Sequence, residues 1–344
     1  MDSIGIKKFT HRKAIHSESG VAANLLSHHG IPLSEPMAFG LGRGLSFGYY
    51  PQSMRLKKYF WKDRPVVTYR VTSGSIIKNV AKSVGASITV KKYKNPEASL
   101  KTLDLMLAAE KPVGLLTDLY WLPYIPKENR FPYPEHNVVV YGRRGNEYMI
   151  SDPAMDGPSS CSREDLIRAI YGNDVGKRSS CLFCLNFYDH DNSVLTEARK
   201  AIRVTARWLL MNPFPFHGIR GIRLLSKRLA EWGDKRSPEQ TASSLHQIIT
   251  MQERIGTGGG GFRFLYSSFM QECAIMLGDE GLYKASQELI GAGKRWQDFA
   301  KDAVRIYRNN PHREGSHCYK VMAAIIKECG NREERMFKNV LRTC

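Results

Sequence analysis

The stretch EHNVVVYGRRGNEYMISDPAM, residues 135–155, holds two apolar runs around an Arg-Arg-Gly turn and reads as an antiparallel hairpin. With Arg143-Arg144-Gly145 as a three-residue loop and Gly145 left-handed, Gly142 pairs with Asn146 and His136 stands opposite Asp152. Strand side chains alternate, so both then emerge on one face; a two-residue loop would send them to opposite faces. A histidine held by a carboxylate on the adjoining strand keeps one imidazole tautomer ready to take a proton. The competing reading is a strand-end histidine beside a solvated Asp-Pro turn.

Outward from the hairpin, strand-like runs at 66–74, 87–93, 112–124 and 181–188 alternate with helical spacing at 18–29, 75–84, 97–110 and 162–172. Helices followed by a block of consecutive strands predict an α+β domain, helices packed on an antiparallel sheet, over residues 1–189. Beyond residue 190 the strand signal ends. Six segments, from LTEARKAIRVTARWLL to HCYKVMAAIIKEC, repeat apolar residues at i, i+3 and i+4 and predict an all-helical domain over 190–344.

The helix at the front of the chain is AIHSESGVAANLLSHHG, residues 14–30. Val21, Ala22, Leu25 and Leu26 form its apolar stripe, Gly30 suits its end, and Ser17 stands at its start. A serine there ordinarily caps the helix. Yet a nucleophile at an early helix N-terminus, then His and Asp on neighbouring strands, is the papain-like order. The helix dipole and an imidazolium would hold a thiol there as thiolate. Serine is a far weaker acid and needs the base itself.

Lys and Arg number 51 against 33 Asp and Glu, a formal net charge of +18. That field favours an anionic partner. The basic residues are dispersed and no nucleic-acid-binding signature accompanies them, so nucleic acid is not the expected partner. No apolar run approaches the roughly 20 residues that span a bilayer, and no signal-peptide h-region is visible, which points to the cytoplasm. Seven scattered cysteines suit a reducing compartment. Cys181 and Cys184 form a single CxxC on a strand-like run with no second pair, so no metal site is expected. FGLGRGLSFG (39–48) lacks the strand and helix of a dinucleotide fingerprint and reads as a close-packed turn beside the active site. GTGGGG (256–261) at a helix start either cradles a phosphate or permits close helix packing. Glu18 and Asp118 are acidic groups that could meet an amine, with capping or solvation as the plainer reading.

HSESGVAANLLSHHGIPLSEPMAFGLGRGLSFGY resembles the N-terminal domain of the butirosin biosynthesis protein H family, in which a His-Cys-Glu stretch opens the helix, followed by a Leu-rich turn, a Ser-Glu pair and a Phe-Gly-Leu-Gly segment. PVGLLTDLYWLPY and HNVVVYG…SDP are similar to later parts of that domain. ERIGTGGGGFRFLYSSFMQECA (253–274) is similar to the core of the helical domain that commonly follows it.

The resemblance implies a papain-like fold and transfer of an acyl group from an acyl-carrier-protein thioester onto an amine acceptor. It puts the nucleophile at Ser17, the base at His136 and the orienting acid at Asp152; Glu18 and Asp118, by their acidity, and Gly42 and Gly44, by their turn beside the site, are the expected substrate-binding residues. Ser17 departs from the family's cysteine; an introduced Cys-to-Ser change is preferred over a natural serine variant or lost catalysis. No bound cofactor is expected, since phosphopantetheine arrives on the acidic carrier protein, and a homodimer is admitted. The Ser17 backbone N–H suits an oxyanion, and His11 or Arg12 is placed by position alone as a second donor. A peptidase or thioesterase on the same triad, or a non-catalytic binding protein, stands as the alternative.

Overall fold

The computed structural model describes residues 3–6, 8–52, 54, 64–174, 177–188, 193–308 and 316–343. The chain opens with β1 (Ser3–Gly5), α1 (Ser17–His28), α2 (Glu35–Leu41) and the hairpin β2 (Leu45–Tyr50) and β3 (Val66–Arg70). Next come α3 (Ser75–Ser83), β4 (Ala86–Lys91), α4 (Pro96–Ala108) and β5 (Val113–Thr117). The strands β6 (His136–Arg144), β7 (Glu147–Ser151) and β8 (Ser159–Ser162), then α5 (Arg163–Tyr171) and β9 (Leu182–Phe187), complete the mixed half. The rest is helical: α6 (Val194–Met211), α7 (Gly218–Ala230), α8 (Trp232–Lys235), α9 (Pro238–Ile249), α10 (Arg263–Leu277), α11 (Glu280–Arg308) and α12 (Ser316–Thr343). No helix among the described residues is long and apolar enough to cross a membrane.

By contacts the chain forms two compact units, Met1–Ala38 with Ser73–Asn192, and Phe39–Thr72 with Ser193–Cys344. The first is a helix-on-sheet unit. Its sheet runs β4-β9-β5-β6-β7-β8, with β1 added on β6, and every pairing is antiparallel. Val138, Val139 and Val140 are buried on both faces of β6, which is why HNVVVYG reads as a continuous apolar run rather than an alternating one. Leu100, Leu103 and Leu107 of α4 and Leu166 and Ile170 of α5 share one core with Val113, Leu115, Val138, Val140 and Ile150 of the sheet. Capping side chains mark where these helices begin: Asn95 accepts from Ala98 N–H ahead of Pro96, and Ser162 accepts from Asp165 N–H.

The second unit is helical but not wholly so. The boundary expected at 189/190 lies outside the described residues, and the strand expected from residue 66 does not join the large sheet. It pairs with β2, and the hairpin belongs to the helical unit, where β2 packs against α6 and α7. Leu45, Phe47 and Tyr49 are buried, as are Val67 and Tyr69, in the core that the hairpin shares with the helices.

The glycine loop also resolves toward packing. Gly256 and Gly258 to Gly261 all have positive φ, and the Gly260 N–H donates to Glu253 Oε1 at 3.0 Å. A carboxylate of the chain itself thus takes up this N–H. A Cβ on Gly261 would lie 2.3 Å from the Tyr69 ring, and one on Gly260 3.0 Å from the Gly293 carbonyl. Arg263 follows, fully buried, with Nε and Nη2 each donating to Glu333 at 3.0 Å and Trp296 Nε1 adding a bond of 2.7 Å.

Candidate functional site

The sequence His16-Ser17-Glu18-Ser19 begins α1, and three of its four side chains turn inward. His16 is the N-cap, in extended backbone, and its imidazole accepts from Ser19 N–H. The hydroxyl of Ser17 is therefore not the cap that composition would suggest. Glu18 is fully buried, and its Oε1 accepts from Ile76 N–H at 2.8 Å and Ile77 N–H at 3.2 Å. It caps the first turn of α3, whose own N-cap is Gly74 and offers no side chain. That corrects the expectation of Glu18 as a substrate contact: it is spent on joining two helices. Ser19 is buried and donates to Glu35 Oε1 at 3.2 Å. Ser17 remains, half-buried, with no hydrogen-bond partner for its hydroxyl among the described residues.

His136 and Asp152 are brought together, by a route the sequence misjudged. β6 and β7 pair Arg144 with Glu147, Arg143 with Tyr148 and Gly142 with Met149, so the turn is Gly145-Asn146 rather than a three-residue loop. Continued, that register would send the two side chains to opposite faces. A bulge at Tyr141 intervenes: Val140 pairs with Ile150 and Val139 with Ser151. The extra residue resets the alternation, and His136 lies diagonal to Asp152 on the same face. His136 Nε2 and Asp152 Oδ2 are 2.8 Å apart, with His136 5% exposed and Asp152 not exposed at all.

Asp152 is held on both oxygens. Oδ1 accepts from Ala154 N–H at 2.9 Å, and Oδ2 accepts from the Tyr124 hydroxyl at 3.1 Å as well as from His136. Burial alone pushes this carboxyl up; the His136 charge and the hydrogen bonds from His136, Ala154 and Tyr124 outweigh it, and the group sits below the ordinary aspartate value. Burial, then the Asp152 charge, pushes the Tyr124 phenol well up, so it remains a donor. Tyr124 was missed in the sequence because it lies in the apolar run WLPYIP, where an aromatic reads as core. With Nε2 donating to the carboxylate, Nδ1 is the imidazole nitrogen left to accept a proton. Thr117 Oγ1 donates to the His136 carbonyl at 3.1 Å and steadies the strand's first residue.

His136 opens β6 and Asp152 follows β7, so both stand at one end of the sheet. The start of α1 is tied to that end: Ala14 N–H donates to the Pro153 carbonyl at 2.8 Å, and a Cβ on Gly20 would lie 2.6 Å from Pro153 Cβ. Helix α1 also packs against β6. Ser17 lies one helical turn before Gly20 and makes no hydrogen bond to His136. The other candidates are elsewhere engaged. Asp118 accepts from Tyr120 and Tyr133 N–H groups and lies 3.8 Å from Arg178, a capping role in place of the substrate role expected. Gly42 and Gly44 fall in the second unit, where a Cβ on Gly44 would lie 2.4 Å from the Phe39 ring. They form a close-packed turn. His11 spends Nδ1 on Ser151 Oγ at 2.8 Å and Nε2 on the Met155 carbonyl at 3.1 Å, and the Arg12 carbonyl accepts from Asn24.

Residues 16–153 match the family described as butirosin biosynthesis protein H, N-terminal. Residues 16–153 thus belong to the N-terminal domain of the butirosin biosynthesis protein H family. Residues 165–340 match a second family, a domain of unknown function, DUF4872. No curated protein matches the chain. Among solved structures, a C39-like peptidase from Bacillus anthracis aligns over 56% of this chain and 100% of its own, at 14% identity and a TM-score of 0.34.

The described cysteines of the first unit are Cys161, Cys181 and Cys184, and none lies at the start of α1. Burial pushes Cys161 up to about 12, and Cys181 and Cys184 are likewise raised by burial. Among the described residues no group of three or more His, Cys, Asp and Glu side chains is placed to hold a metal ion. What the site offers is an imidazole, a carboxylate that orients it, and a helix start whose hydroxyl is uncommitted.

Proposed function

We propose that this protein is an amide-forming acyltransferase that takes an acyl group from a carrier-protein thioester and delivers it to an amine. The observation that carries the reading is the buried His136–Asp152 pair, at the end of the sheet where Ser17 is the one uncommitted side chain of its turn. His136 Nδ1 takes the proton from the position-17 side chain, which attacks the thioester carbonyl. The negative oxygen that forms meets the free N–H at the start of α1. As the carbon–sulfur bond breaks, the imidazolium returns its proton to the departing pantetheine thiolate, leaving the acyl group on the position-17 side chain, as a thioester where that residue is the family's cysteine. An amine then attacks the acyl carbon, gives its proton to His136, and the position-17 side chain is restored as the amide leaves. Asp152 stays ionised and holds the imidazolium. The +18 charge supports an acidic carrier as donor.

Incubating the protein and its Ser17→Cys form with an acyl-carrier protein, with and without amines, tests the proposal. Amide product supports it. Free acid without amide assigns a hydrolase, and no reaction with any acyl group assigns a binding protein.

A further inference from the structure

We propose that Glu35 is the positioning residue for the side chain at position 17, a role that rests on the nucleophile reading above. Ser34 Oγ accepts from Met37 N–H and starts α2, which leaves the next side chain, Glu35, free to reach back. Its Oε2 accepts from Ile15 N–H at 2.8 Å, and its Oε1 accepts from His16 N–H at 2.7 Å. Oε1 also takes the Ser19 hydroxyl at 3.2 Å, and that hydroxyl lies 3.1 Å from His16 Nδ1, the capping nitrogen of α1. One carboxylate therefore fixes the two residues before Ser17 through their backbone and the second residue after it through its side chain. It touches neither Ser17 nor the His136–Asp152 pair, so it acts on the nucleophile only through the turn.

The chemistry requires a carboxylate. Three donors converge on two oxygens, and Gln would present an NH₂ group to at least one N–H. Burial holds the Glu35 carboxyl above the ordinary glutamate value, against the pull of the Ile15 and His16 N–H groups and the Ser19 hydroxyl. The other charged or titratable groups near this turn are His16 and Glu18 on α1, His11, Arg12 and Lys13 on the segment before it, Lys78 and Lys82 on α3, and His136 with Asp152 at the sheet end.

The test uses the full chain carrying Ser17→Cys, with Glu35→Gln added. Alkylation of the position-17 thiol by iodoacetamide is followed against pH, and acylation by a simple acyl-pantetheine thioester against concentration. Loss of the clamp should carry the thiol away from its imidazolium, so the alkylation profile moves up toward the ordinary value near about 8.5. The limiting acylation rate should fall about 100-fold with half-saturation unchanged. Backbone amide exchange at Ile15 and His16 should speed up about tenfold while β6 is unaffected. If Glu35 acted only as a nearby charge, its removal would move the profile down, and that result overturns the proposal. A lower melting temperature with an unmoved profile also overturns it. Glu35→Asp, one methylene short, serves if the Gln form does not fold, and should move the profile the same way. If the Ser17→Cys protein with Glu35 intact titrates like any cysteine and takes no acyl group, the nucleophile reading itself falls and this role with it. A low thiol pKa left unmoved by Glu35→Gln defeats the positioning role alone.

Discussion

Removing the Tyr124 hydroxyl tests whether Asp152 is held as an ionised carboxylate. Tyr124→Phe keeps the ring, which packs on the core of the first unit, and deletes one hydrogen bond to Oδ2 of a carboxylate with no solvent exposure. A hydrogen bond to a charged group contributes about 1.5–3 kcal/mol, and Oδ2 keeps His136, so no acceptor is stranded. That bond favours the ionised form, so its loss should raise the folded Asp152 pKa. The sign follows from linkage. A carboxyl whose folded pKa is depressed contributes stability above its unfolded value, and loses it as pH falls through the folded value. The variant should therefore be less stable by about 2 kcal/mol near neutral pH. The gap should narrow as pH drops through the variant's folded pKa toward the lower one of the parent. Urea unfolding at a series of pH values, with the Asp152 carboxyl followed by NMR, reads both quantities. A stability difference that is flat with pH, or an Asp152 pKa that does not rise, would refute the account of the pair.

Asp152→Asn should leave the fold in place, but the Ala154 N–H keeps the amide oxygen on its side, so the NH₂ faces His136 Nε2, which must then accept and leave the proton on Nδ1. Acyl transfer should fall by about 10³–10⁴-fold, measured as single-turnover acylation of the Ser17→Cys form, and a loss below tenfold would contradict the tautomer argument. Gly261→Ala should destabilise the helical unit by about 1–3 kcal/mol in urea, because its Cβ meets the Tyr69 ring at 2.3 Å and φ is +58°. Inorganic phosphate should leave the melting temperature of the parent unchanged; a rise that Gly261→Ala abolishes would return the loop to anion binding.

The positions of α1, α4, α5, β6 and β7 were legible because burial imposes helical or strand periodicity on their residues, and the helical second half was legible for the same reason. What lay hidden depends on partners distant in the chain. A histidine at an N-cap carries no strong local signal, so His16 took a role that Ser17 seemed to own. Glu18 looks like any first-turn acid until Ile76 and Ile77 are seen to lie against it. The bulge at Tyr141 adds one residue to β6 without changing the apolar run VVVY, so periodicity could not announce it. The turn was misread and the shared face of His136 and Asp152 was right, because two errors of parity cancelled. β3 read as a strand from its composition, whereas β2 begins inside the stretch 39–48 read as a turn, and nothing local says that helices enclose the pair.

The most direct measurement of the central claim is the intact mass of the Ser17→Cys protein after mixing with an acyl-carrier protein, alone and combined with His136→Ala. The account predicts a mass increase equal to the acyl group on the Cys form, discharged by amine, and no adduct when His136 is also replaced. A Ser17 protein that already acylates amines while Ser17→Cys gains nothing would contradict the cysteine parallel and make serine the working nucleophile. An adduct that forms undiminished without His136 would remove the His136–Asp152 pair from the chemistry.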